Sequence, residues 1–243
     1  MILKVALIFS SHYTISPLNE SALLVSFENI IDEIINEKII ALQLAFEKNK
    51  FTGFVETVPA YASLAVFYDP ATVKNNHAAG TTAYEFVKRI AEQLILELGD
   101  IAAVEKRKTI SIPIYYNGED LADVAKQHGL SIEEVINIHC EKLYRVYMIG
   151  FLPGFAYMGK LDERIATARR STPRTNVKAG AVGIAGFQTG IYPLDSPGGW
   201  QLIGQTPLKI FDKEKSTPCL LQAGDTVQFI SISKENFESA NEY

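Results

Sequence analysis

The chain has 243 residues, 47% of them hydrophobic and 21% charged, with a formal net charge of −5. At roughly 100–200 residues per domain this allows one large or two small domains, with core enough to fold without disulfides or metal. The acidic balance leaves no general basic surface, which argues against nucleic acid or an anionic membrane as the main partner, and no apolar run approaches the roughly 20 residues of a membrane span.

Met1–Phe9 carries one lysine and a short apolar run, too short for the apolar region of a signal peptide, and is predicted as a first strand. Ser21–Phe27 is an apolar run of strand length. Ile31, Ile34, Ile35, Leu42 and Phe46 recur at helical spacing within residues 30–49. Val55–Val58 and Ser63–Tyr68 read as strands around Pro59-Ala60-Tyr61. Residues 81–98 form a second helix with Phe86, Val87, Ile90, Ala91, Leu94, Ile95 and Leu98 on one stripe, and Gly99 ends it. A strand follows at Thr109–Tyr115. Two helices on one face of a small sheet make an α+β unit.

The middle is a helical pair. Leu121–His128 is a short helix stopped by Gly129, and Ser131 with Glu134 forms a capping box for the next. That second helix aligns Ile132, Val135, Ile136 and His139 on one face. The pair resembles a LysM module, although any capped helix-turn-helix has this pattern.

From Leu143 onward, glycine and proline become dense. Short apolar runs at Arg145–Ile149, Val182–Ala185, Trp200–Ile203, Leu208–Phe211 and Thr226–Ile232 predict a barrel or sandwich. The polar run Glu105–Lys108 marks a boundary, giving domains 1–104 and 105–243, with the helical pair at the start of the second.

Common catalytic signatures are absent. There is no phosphate-binding P-loop, no dinucleotide fingerprint, no G-x-S-x-G elbow and no H-E-x-x-H helix. Cys140 and Cys219 complete no Cys-x-x-Cys pair and no zinc motif, so no metal site is expected, and two thiols suit a reducing, cytoplasmic compartment. The chemistry-bearing segment is Gly150–Phe211. Arg174 follows Pro173, so a stiffened backbone presents its fork of donors, which suits a carboxylate or phosphate. Gln188, Thr189 and Tyr192 offer neutral polar groups, and Trp200 an apolar wall. Together they fit a small anionic ligand. Taken singly, each is more often structural. Glycines and prolines make turns, Arg169, Arg170 and Arg174 can be solvated, and Trp200 can be core. His139 is the acid/base candidate because its pKa lies nearest neutrality, against a plain role at a helix end.

Several long segments resemble one family, which comprises the B component of prokaryotic 5-oxoprolinase, the sporulation-kinase inhibitor KipI and proteins called allophanate hydrolase subunit 1. They are Ser21–Phe27, Val58–Leu64, Glu134–Ile136 with His139, Tyr144–Met148, Thr172–Thr175, Gln188–Pro193 and Pro197-Gly198-Gly199-Trp200. The resemblance implies an α+β N-terminal domain followed by a mainly-β cyclophilin-like barrel. It implies a non-autonomous member of a complex that hydrolyses 5-oxoproline to glutamate with ATP, its partners being the A and C components of 5-oxoprolinase. ATP would be bound by that complex, at a site assigned to no residue of this chain. Catalytic roles then fall on His139 and Arg174, and substrate contacts on Gln188, Thr189, Tyr192, Gly198, Gly199 and Trp200. The alternative is a KipI-like inhibitor docking on a sensor histidine kinase. The amidase label fits poorly, since no Gly/Ser-rich amidase signature is visible, and no Met-Lys-Met biotin site is present. The chain departs from the family pattern at Asn19-Glu20, within Gly154–Lys160 and at Phe187.

Overall fold

The structure is a computed structural model that describes residues 13–77, 80–98 and 109–240. It divides into two compact units, Met1–Lys106 and Arg107–Tyr243. The predicted first strand at Met1–Phe9 and the predicted boundary between residues 104 and 105 lie outside the described residues.

The first unit is a four-stranded antiparallel sheet with helices. Its strands are β1 (Thr14–Asn19), β2 (Ala22–Ser26), β3 (Phe54–Pro59) and β4 (Ser63–Tyr68), in the order β1-β2-β4-β3. Its helices are α1 (Glu33–Lys48), α2 (Pro70–His77) and α3 (Ala83–Leu98). Alternation along the strands turns Leu23, Val25, Leu64 and Val66 toward one core, which Ile39, Phe46, Val87 and Ala91 fill from α1 and α3. Asp32 starts α1 by accepting a hydrogen bond from the Ile35 N–H at 3.0 Å. The apolar pattern does not reveal β1. Its Pro17 is tolerated because β1 is an edge strand, and its side chains are mostly exposed.

The second unit is built on a seven-stranded sheet. Its strands are β5 (Thr109–Ile114), β6 (Leu143–Ile149), β7 (Ala156–Gly159), β9 (Ala181–Ala185), β10 (Gln188–Ile191), β12 (Gln201–Gln205) and β13 (Thr226–Ser231). They run in the order β12-β9-β10-β7-β6-β13-β5, with only β13 and β5 parallel. A separate ribbon pairs β8 (Arg174–Val177) with β11 (Ser196–Gly198). Helices α4 (Leu121–His128) and α5 (Ile132–Glu141) form the predicted pair, and α6 (Lys234–Ala240) follows β13. The capping box of α5 is present. Glu134 N–H donates to Ser131 Oγ at 3.2 Å, and Ser131 N–H donates to Glu134 Oε2 at 2.7 Å. The outer strands of the sheet meet where Tyr115, just after β5, exchanges backbone hydrogen bonds with Gln205 of β12 at 2.8 and 2.9 Å. The sheet is therefore a curled half-barrel whose seam is pinned at one point. The expected strand at Leu208–Phe211 does not form. Pro207 offers no N–H, the Leu208 N–H turns to Thr206 Oγ1 at 3.3 Å, and only Phe211 makes a bridge, to Cys219.

Both faces of this sheet are buried in places, so β9 reads as a continuous apolar run. Val182, Ile184, Ile191 and Ile203 face the main core with α4 and α5. Phe155, Ala181, Ala185, Tyr192, Trp200 and Leu202 form a second cluster. Gly190 makes the second cluster possible, because a Cβ there would stand 3.0 Å from the Phe155 ring and 3.1 Å from that of Trp200. Where the chain enters α4, a Cβ on Gly118 would run into the Leu202 carbonyl and the Ile203 backbone. Gly118→Ala should therefore displace backbone and destabilise this unit by about 1–3 kcal/mol or more. Urea unfolding checks this, and a wild-type midpoint would contradict it.

Candidate functional site

The second cluster opens on one side into a cleft of about 230 Å³. Its walls are aromatic: Phe151, Phe155, Tyr157, Tyr192 and Trp200, with backbone at Gly198 and Gly199. Phe155 anchors them, meeting Tyr192 and Trp200 edge-on at ring distances of 5.3 and 5.4 Å. Gly198 is required there, since a Cβ would press on the Tyr192 ring at 2.8 Å from Cζ. Phe151 stands at the mouth, 61% exposed, in the left-handed backbone region at φ 68°. A bulky residue in that conformation is costly and concentrates at functional sites.

Arg169 closes the cleft, its guanidinium carbon 5.7 Å from the Trp200 ring centre. Among the described residues it has no carboxylate partner. An unpaired guanidinium over an aromatic floor keeps its fork of donors for an anionic ligand. The other titratable groups lining the cleft are the phenols of Tyr157 and Tyr192, whose pKa values burial raises. The cleft can hold a small flat body and its negative group, but among the described residues that line it there is no base that works near neutral pH.

Behind the cleft lies the hub that fixes it. Asp120 occupies the N-cap position of α4, yet its carboxylate makes no cap hydrogen bond. It is 3% exposed. Oδ1 accepts from Arg174 at 2.7 Å and from Arg170 at 3.0 Å, while Oδ2 accepts from Arg174 at 2.8 Å and from the Leu202 N–H at 2.6 Å. Arg174 also donates to Glu119 at 3.2 Å and to the Trp200 carbonyl at 3.3 Å. One carboxylate thus ties the 168–174 segment, β12 and the backbone of Trp200 together.

The family described as "Carboxyltransferase domain, subdomain C and D" matches residues 13–221. The B component of the 5-oxoprolinase of Bacillus subtilis (strain 168) is 44% identical over 234 residues, covering 95% of this chain and 97% of that one. The chain belongs to the family of 5-oxoprolinase B components. A conserved uncharacterized protein from Pyrococcus horikoshii shares 44% identity, covers 92% of this chain and 100% of its own, and superposes with a TM-score of 0.53. Urea amidolyase of Saccharomyces cerevisiae is 28% identical over 240 residues, which are 88% of this chain and 13% of that one.

In this member of the family, the residues singled out from sequence do not all come together. Tyr192, Gly198, Gly199 and Trp200 come together in the cleft. His139 and Thr189 do not: the alternation of β10 places them elsewhere. Thr189 shares a face with Ile191 and points into the main core, where His139 reaches it from α5. Both are 0% exposed. The Thr189 hydroxyl donates to the Gly183 carbonyl at 3.1 Å, so it accepts from His139 Nε2–H at 2.9 Å. His139 Nδ1 then accepts from the Tyr116 hydroxyl at 2.7 Å, and Phe229 stacks on the ring at 4.6 Å. Arg174 lies in the hub, where its donors are engaged by Asp120, Glu119 and Trp200 and only 14% of its side chain is exposed. Gln188, half-buried at the start of β10, lies outside the residues that line the cleft. Sequence reasoning did not single out Arg169 as the cleft's cation, nor the wall of Phe151, Phe155 and Tyr157. Their signal is the alternation of aromatics with glycines in residues 150–159, ten residues before an arginine pair.

Burial lowers the His139 pKa from 6.5 to about 3. The unfolded chain therefore takes up a proton near pH 6.5 that the folded one refuses until about pH 3. Stability from this group is complete above pH 6.5 and falls as the pH drops toward about 3, by up to roughly 1.4 kcal/mol per pH unit. His139→Gln should flatten that part of the profile in urea unfolding across acidic pH. A slope identical to wild type would show that another group sets it.

Proposed function

We propose that the chain is the B component of an ATP-dependent 5-oxoprolinase and that the aromatic cleft under Arg169 receives the substrate. The observation that carries this reading is the 44% identity spanning 97% of a 5-oxoprolinase B component. The cleft supports it. 5-Oxoproline is a flat five-membered lactam with one carboxylate. Trp200 and Phe155 match the ring, the Gly198–Gly199 backbone can reach its amide edge, and Arg169 matches the carboxylate. Because the cleft lacks a base, ring opening needs groups from partner proteins, the C and A components in this reading. ATP belongs to that complex and is assigned to no residue here. The half-barrel is the cyclophilin-like domain of the family, preceded by an α+β domain. The unpaired Cys140 and Cys219 suit a cytoplasmic setting.

The purified chain alone should show no 5-oxoproline-dependent ATP hydrolysis, and adding it to the A and C components should restore turnover. Robust turnover by the chain alone would overturn the reading. So would a complete activity of A and C that ignores this chain, particularly if the chain instead inhibited a sensor histidine kinase.

A further inference from the structure

Beside the cleft lies a second, larger pocket of about 480 Å³ between α4 and the segment of residues 167–172. Arg169 lines both spaces. The second pocket is polar where the first is aromatic. Arg170, Ser171 and Thr172 line it from the segment, and Asp123 and Gln127 from α4. Arg170 donates from one nitrogen to Asp120, at 3.0 Å. Among the described residues, the hydroxyls of Ser171 and Thr172 and the amide of Gln127 are not committed to other protein groups. Of the lining side chains Arg169 and Arg170 are cationic and Asp123 anionic, with Arg170 sharing the Asp120 carboxylate with Arg174.

We infer that this pocket is a phosphate subsite, taking the phosphoryl group of a small ligand whose ring occupies the aromatic cleft, or inorganic phosphate. The lining offers donors from both the segment and the helix, namely two guanidiniums, two hydroxyls and an amide, which is more than the two oxygens of a carboxylate need. A tetrahedral dianion uses all of them, with Arg169 and Arg170 supplying charge-assisted hydrogen bonds. Asp123 opposes the dianion and accepts from its monoprotonated form, which makes the affinity sensitive to that one carboxylate. Asp120 fixes Arg170 at the rim, so the subsite is held by the same hub as the cleft. The pocket's own chemistry supports this assignment, whether or not 5-oxoproline is the substrate.

The test is calorimetric titration of the full chain with inorganic phosphate, acetate and phenyl phosphate. Inorganic phosphate should bind saturably and acetate much more weakly. Phenyl phosphate should bind tighter than inorganic phosphate if the two spaces act as one site, because its ring enters the cleft. Removing both hydroxyls in Ser171→Ala/Thr172→Ala should weaken phosphate by about tenfold or more. Asp123→Asn should tighten it. All of these side chains line an open pocket, and thermal unfolding verifies that the variants fold. Absence of saturable phosphate binding would overturn the inference, as would equal affinity for acetate or insensitivity to both sets of substitutions. Phosphate binding as expected, with phenyl phosphate no tighter, would keep the subsite but remove its continuity with the cleft. The readout uses no 5-oxoproline and no partner protein, so it fails or succeeds separately from the proposed function.

Discussion

Asp120→Ala should be among the most destabilising single substitutions in the second unit, costing about 3–5 kcal/mol. The side chain is buried and accepts four hydrogen bonds, three from guanidinium groups and one from a backbone N–H. Its removal leaves the Arg174 charge, only 14% exposed on its side chain, without its main partner. The Leu202 N–H loses its acceptor as well. Asp120→Asn keeps the shape and one acceptor oxygen but loses the charge, so it should fall between wild type and alanine. The chain has a single tryptophan, Trp200, which sits in this unit beside the hub. Unfolding followed by its fluorescence therefore reports the affected unit. For a domain of this size the thermal midpoint should drop by on the order of 6–20 °C. A drop of only a degree or two would mean that Asp120 does not organise the site.

Arg169 and Arg174 should behave in opposite ways. Arg169→Ala removes an exposed guanidinium that has no carboxylate partner among the described residues. The loss to stability should be limited to a cation–π contact of about 0.5–1 kcal/mol. If Arg169 holds the substrate anion, a charge-assisted pair worth about 1.5–3 kcal/mol disappears, lowering kcat/KM of the assembled enzyme roughly ten- to a hundredfold. Arg169→Lys should recover part of this, since it keeps the charge and loses the fork. Arg174→Ala should instead lower stability, because it removes two of the four hydrogen bonds to the buried Asp120 carboxylate. Its kinetic loss should follow the folded fraction. Steady-state kinetics of the reconstituted complex alongside unfolding separates the two. An Arg174 variant that folds normally but fails in substrate binding would reverse the assignment.

Much of the fold is legible in the sequence because it rests on local rules. The stripe from Val87 to Ile95 encodes α3, and Ser131 with Glu134 encodes the start of α5. The elements missed are those whose partners are distant or whose composition is atypical. β1 contains Pro17 and pairs along the sheet with β2, and β11 is a three-residue strand containing Pro197. The cleft was legible in part. Pro197–Trp200 and Tyr192 do form its wall, since glycine next to aromatic residues reflects close packing of ring against backbone. The choice among three arginines was not legible, because it depends on Asp120, which lies 50 residues from Arg170 and 54 from Arg174. An aspartate before a helix reads as a cap, and nothing local signals that its carboxylate turns away. His139 shows a related limit. Its place on the apolar face of α5 was visible, but the face it shares is that of Thr189 in the core, a consequence of strand register and not of composition.

Trp200 floors the cleft proposed to receive 5-oxoproline, and it is also the reporter best placed to test that assignment. Because this chain has one tryptophan, incorporating fluorotryptophan gives a single fluorine resonance, which stays assignable in a complex with unlabelled partners. Titrating 5-oxoproline into that complex should shift this resonance saturably, with a midpoint matching the KM for turnover, and Arg169→Ala should move the midpoint to higher concentration. A resonance that stays unchanged while the enzyme is saturated and turning over would place the substrate elsewhere.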